Sequence, residues 1–64
     1  MDNKTPKEWA LLFVYRYGLD NKYKKDAENI STGSELYKFA EKLYEHGHKS
    51  VSKPLRKIAN YLSC

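Results

Sequence analysis

Acidic residues stop at Glu45. Beyond it the chain carries Lys49, Lys53, Arg56 and Lys57 and no acid. Upstream, eight cations balance eight acids, so the whole formal charge of +4 sits in the last 19 residues. A one-sign segment on an otherwise neutral chain points toward an anionic partner: nucleic acid, an acidic protein surface or anionic lipid.

Cysteine is nearly absent. Cys64 stands alone, so no intrachain disulfide can form. A single thiol fits a reducing compartment, with a disulfide-linked dimer as the alternative. Long apolar runs are missing too. The longest, Trp9–Tyr15, falls far short of the ~20 residues that a membrane span needs. The segment Met1–Glu8 lacks the apolar core of a signal peptide. The expectation is a cytoplasmic chain with no membrane span. Its wealth of Lys, Asn and Tyr is typical of AT-rich genomes, and its length is typical of phage and mobile-element genes.

No stretch alternates apolar and polar residues as a half-buried strand would. There is no internal repeat, linker or low-complexity segment. Sixty-four residues make one domain, 1–64, of a size that buries only about 60% of its unfolded surface. Without a disulfide, such a scaffold relies on tight helix packing or on oligomerisation.

What is present is helix punctuation. Thr5-Pro6-Lys7-Glu8 is a capping box with proline at the first helical position. It predicts a helix from Pro6 to Tyr17, closed by Gly18 and the apolar Leu19. Asp20 predicts a cap for a short second helix, Asn21 to Asn29, with Tyr23, Ala27 and Ile30 on one face. Thr32-Gly33-Ser34-Glu35 is a second capping box. Leu36, Phe39, Ala40 and Leu43 follow at helical spacing, and Gly47 ends that helix. Ser50 or Ser52 is the expected cap of a fourth helix, with Pro54 in its first turn and Val51, Leu55, Ile58, Ala59 and Leu62 as its stripe. The expected fold is all-α, a small compact bundle of three to four short helices. Its centre is expected at Phe39, Leu43, Leu55, Ile58 and Leu62, covered by Phe13 and Val14.

Two surfaces remain. Helix 1 is apolar nearly all round, with Arg16 the one plainly polar residue between Trp9 and Tyr17. Ala10, Phe13, Val14 and Tyr17 group on one side, which leaves Leu11, Leu12 and Tyr15 pointing elsewhere. Either helix 1 is central and wrapped by the others, or this second side is an interface, a homodimer contact included. The other surface is basic. Lys49, Lys53 and Arg56 share a helical face with Lys57 beside it, as a solvated face or as a docking patch. Cations late in a helix also complement its dipole. Six tyrosines add large amphipathic area of the kind that interfaces favour.

Catalytic chemistry is not legible. His46 and His48 flank Gly47 and do not share a helical face, and Cys64 is the one other soft ligand, so no metal site and no cofactor are expected. His48, Ser50 and Ser52 lie close in sequence without a group to orient a base. No glycine-rich phosphate loop occurs. The expectation is not an enzyme.

The stretch Ser34–Leu62, with Leu36, Phe39, Leu43, Lys53-Pro54-Leu55 and Asn60-Tyr61-Leu62, resembles the middle helices of enterocin-type bacteriocin immunity proteins. Those are small, basic helical bundles that run longer and carry a further C-terminal helix. The resemblance implies a helical bundle and an immunity-type role, and no site residue is carried over from it. Helices 3 and 4, joined by a short glycine-containing turn, also resemble a helix-turn-helix, although Gly47-His48-Lys49-Ser50 offers no apolar residue to pack between the helices.

The sequence thus leads to a non-catalytic module that engages and inhibits or otherwise modulates a protein partner. A nucleic-acid-binding regulator and a bacteriocin-immunity-like bundle are the alternatives.

Overall fold

Thr5 opens the first helix as its spacing requires. Its Oγ1 accepts from the Glu8 N–H at 3.2 Å, and Glu8 Oε1 accepts from the Thr5 N–H at 2.9 Å. The computed structural model describes residues 4–63, Ser63 through its backbone alone; Cys64 lies outside the described residues. Helix α1 spans Pro6–Arg16, one residue short of expectation, with Tyr17 as its C-cap. Gly18 follows at φ 61°. The Leu19 N–H then reaches back to the Val14 carbonyl at 2.9 Å and the Gly18 N–H to the Tyr15 carbonyl. This pair of bonds satisfies carbonyls that the helix end would otherwise orphan.

Helix α2 spans Asn21–Glu28. Asp20 occupies the N-cap position in extended conformation, but its side chain makes no capping hydrogen bond, contrary to the sequence expectation. Burial holds this helix instead: Tyr23 and Ala27 point inward, and Ile30 beyond its end is buried as well. In a segment of poor intrinsic helicity, tertiary packing supplies what the cap does not.

Helix α3 spans Gly33–Glu45 and carries the second capping box. Glu35 Oε1 accepts from the Thr32 N–H at 3.2 Å, and also from the Ser31 N–H at 2.7 Å and the Ser31 hydroxyl at 2.9 Å. Leu36, Phe39, Ala40 and Leu43 are buried as one stripe. Gly47, at φ 90°, ends the helix, and the His48 N–H returns to the Leu43 carbonyl at 2.8 Å.

Helix α4 spans Lys49–Ser63 and corrects two expectations. It starts directly after the Gly47 turn, so neither Ser50 nor Ser52 caps it, and Pro54 falls in its second turn rather than its first. Proline there leaves the Ser50 carbonyl without its usual amide four residues on. Ser52 is fully buried and donates its hydroxyl to the Ala40 carbonyl at 2.7 Å.

Helices α3 and α4 form the most extensively packed pair, α1 and α2 form a second hairpin, and α1 bridges the two. Helices α2 and α4 do not touch among the described residues. The core collects Phe13, Val14, Tyr23, Leu36, Phe39, Leu43, Val51 and Leu55 around the small residues Ala10, Ala27, Ala40 and Ala59. Ile58 and Leu62, expected at the centre, are only half-buried. The reason lies in their positions on the helix. Leu55 and Ala59 sit in the middle of the buried face of α4, with Val51 at one edge and Ser52 at the other. Ile58 falls just outside the Val51 edge, and Leu62 faces inward but lies in the last turn, where the core ends.

Candidate functional site: a basic face built on tyrosine

Around α4, Arg56 follows Ser52 just beyond the buried face, which places it beside α3. There Tyr37 and Tyr44, seven residues apart and so two helical turns, present their rings along one side of α3. Arg56 Nη2 donates to the Tyr37 hydroxyl at 3.3 Å. Its guanidinium carbon lies 5.6 Å from the Tyr37 ring centroid and 6.0 Å from that of Tyr44. The hydrogen bond that Arg56 donates to Tyr37, and then the charge interaction with it, hold the Arg56 pKa above the usual guanidinium value. Arg56 is thus a fixed cation set against two aromatic rings, in contrast to a long side chain free in solvent.

The lysines surround it. Lys49 Nζ stands 5.5 Å from the Tyr44 ring centroid. Lys53 and Lys57 are exposed and, with Tyr37, Pro54, Arg56 and Asn60, line an open groove of about 490 Å³. It is an open surface groove and not an enclosed cavity. The four cations singled out from the sequence therefore fall on one face. Lys53, Arg56 and Lys57 share a groove, while Lys49 stands against Tyr44 beyond it.

Two features of this face were not legible beforehand. Tyr37 and Tyr44 organise it, and the sequence offered no reason to choose them among six tyrosines. The face is also bounded by acid. Glu41 and Glu45 of α3 meet Arg56 and Tyr44 in a shallow hollow that Lys53 does not line. The segment that is purely basic in sequence borders carboxylates in space, because α3 runs alongside it.

The histidines do something else. The Tyr23 hydroxyl hydrogen-bonds His46 Nδ1 at 2.7 Å, and the Tyr23 ring meets the His46 and His48 rings edge-on, with centroids 5.9 and 5.5 Å away. Both histidines thereby brace α2 against the end of α3. Among the described residues no group of three or more His, Cys, Asp or Glu is placed to hold a metal ion. The Ser52 hydroxyl is committed to the core, so His48, Ser50 and Ser52 do not assemble.

On α1, the three residues singled out separate. Tyr15 is 88% exposed. Leu11 is half-buried against the core and shares a second open groove with Tyr15, between α1 and α2. Leu12 is half-buried and does not line that groove. Helix α1 is therefore neither wrapped on all sides nor bare: Ala10, Phe13 and Val14 are buried, and Tyr15 is outside.

No helix among the described residues is long and apolar enough to cross a membrane. No protein-family model, curated protein or solved structure matches this chain at a significant level.

Proposed function

We propose that this chain is a non-catalytic binding module that docks an acidic protein surface on its α3–α4 face and inhibits that partner by covering it. The observation that carries this reading is Arg56 fixed beside Tyr37 and Tyr44, with Lys49, Lys53 and Lys57 around it. Tyrosine and arginine dominate the energetics of protein interfaces, and a pre-ordered arginine loses little freedom on binding. The surrounding lysines steer an acidic partner and set its orientation.

Nucleic acid is the second reading, favoured by the acid-free groove of Lys53, Arg56 and Lys57. Four phosphate contacts would give a slope of log affinity against log salt of roughly −3.6 on duplex DNA. Glu41 and Glu45 weigh against it, since a phosphate backbone running along the face would meet both carboxylates. A protein partner can place its own cation there.

Affinity capture from bacterial lysate with and without nuclease treatment, at low and moderate salt, tests the choice. The expected result is a saturable protein partner, recovered by the native chain and lost with Lys53→Glu combined with Arg56→Glu, both proteins being helical by circular dichroism. Recovery of nucleic acid alone, or of the same protein by the double variant, would overturn the proposal.

A further inference from the structure

The groove between α1 and α2 has a chemistry unlike that of the basic face. Leu11, Val14, Tyr15 and Leu19 give it an apolar floor and wall, and it measures about 500 Å³. Its rim carries one charge of each sign, Lys24 and Glu28, both exposed. They are one helical turn apart on α2, yet no ion pair joins them. Among the described residues, the one ion pair of this helix is Asp26 with Lys42. Tyr15 stands at the edge with almost its whole side chain in solvent. Large exposed apolar surface of this kind marks a contact site.

We infer that this groove docks the same groove of a second copy of the chain, forming a two-fold dimer. Charge chooses the occupant. A two-fold interface sets residue i against j and j against i. One lysine and one glutamate on the rim therefore complement themselves: Lys24 meets Glu28 of the partner subunit, and Glu28 meets Lys24 of the partner subunit. An acidic or a basic partner would satisfy one of these charges and be repelled by the other. The position of the net charge agrees. Residues 1–45 are formally neutral and the whole +4 lies downstream. No residue of α4 lines the groove, so two copies meeting through it keep their basic faces out of the interface. Tyr15 of each copy then covers the apolar floor of the other, and the dimer supplies the staple that a chain without a disulfide needs.

If the α3–α4 face binds as proposed, the dimer presents two such faces and gains avidity on a repetitive or dimeric target. That consequence rests on the proposed function; the dimer itself does not.

Sedimentation equilibrium from low micromolar to millimolar concentration decides the matter. The native chain should reach dimer mass and fall to monomer on dilution. Tyr15→Glu, at an exposed position where folding is not at risk, should remain a folded monomer. Lys24→Glu and Glu28→Lys should each weaken self-association by at least about tenfold, because each sets like charges face to face. Mixed in equal amounts, those two variants should recover dimer mass, since each then meets its opposite. A native chain that stays monomeric throughout overturns the inference. So does a dimer that tolerates Tyr15→Glu, or a mixture of the two charge variants that associates no better than either alone.

Discussion

Ser52 Oγ donates to the Ala40 carbonyl oxygen at 2.7 Å, a hydrogen bond between α4 and α3 inside the core. Serine is the one buried polar residue of the described chain, and this bond satisfies its hydroxyl. Ala40 and Ser52 are both small and both fully buried where the two helices meet.

Ser52→Ala should therefore destabilise the fold by about 1 kcal/mol, the net worth of one neutral hydrogen bond, with the helix spacing kept. Ser52→Leu should destabilise it more, by about 1–3 kcal/mol or beyond, since the added volume has to force α3 and α4 apart. Urea unfolding followed by circular dichroism separates the two. Equal midpoints for both variants would show that the contact is looser than its distance implies.

Burial sorts the large apolar residues. Leu43 is fully buried, so Leu43→Ala should cost about 2–5 kcal/mol. A domain holding little more than about 5 kcal/mol could unfold outright. Ile58 is half-buried at the rim of α4, and Ile58→Ala should cost clearly less. Thermal melts of the two variants should differ widely, with Leu43→Ala much the lower.

Acid should loosen the start of α3. The Ser31 backbone N–H, then the Ser31 hydroxyl and the Thr32 N–H, hold the Glu35 carboxylate below its ordinary pKa of 4.5. Folding thus favours the ionised form. The stability it contributes is complete above pH 4.5 and is lost as pH falls through the lower folded value. Glu35→Gln should lower stability at neutral pH and flatten this part of the acid limb. Denaturant midpoints between pH 6 and pH 3 would reveal an unchanged limb if Glu35 were not the titrating group.

Tyr37→Phe separates the positioning of Arg56 from its charge. The substitution deletes the hydroxyl that accepts from Arg56 and leaves the ring and every cation in place. Partner affinity should fall several-fold, since a hydrogen bond near the surface contributes little beyond its competition with water. The salt dependence of binding should not change. Lys53→Ala should do the reverse, flattening the salt dependence with a smaller loss in affinity at moderate salt. Isothermal titration at two ionic strengths distinguishes these patterns, and a Tyr37→Phe protein that binds as tightly as native would remove the reason for singling out this tyrosine.

Local signals determined much of this protein before any packing was considered. Both threonine capping boxes, the closures at Gly18 and Gly47 and the Leu36-Phe39-Ala40-Leu43 stripe form as their spacing predicts. Each involves groups within about four residues of one another, where the backbone itself fixes who meets whom. Where the sequence promised a local bond at Asp20, Ser50 or Ser52, the structure departs from it: α2 is held by burying Tyr23, and Ser52 serves the core. The pairs Ser52 with Ala40, Arg56 with Tyr37 and Tyr23 with His46 lie 12, 19 and 23 residues apart. All depend on how far each helix turns about its axis when the core closes. That angle is set by how the buried side chains of all four helices fit together, which no single stripe reveals. The sequence could therefore place four cations on one helix, while only the packed α3–α4 pair could give Arg56 its tyrosines and its acidic border.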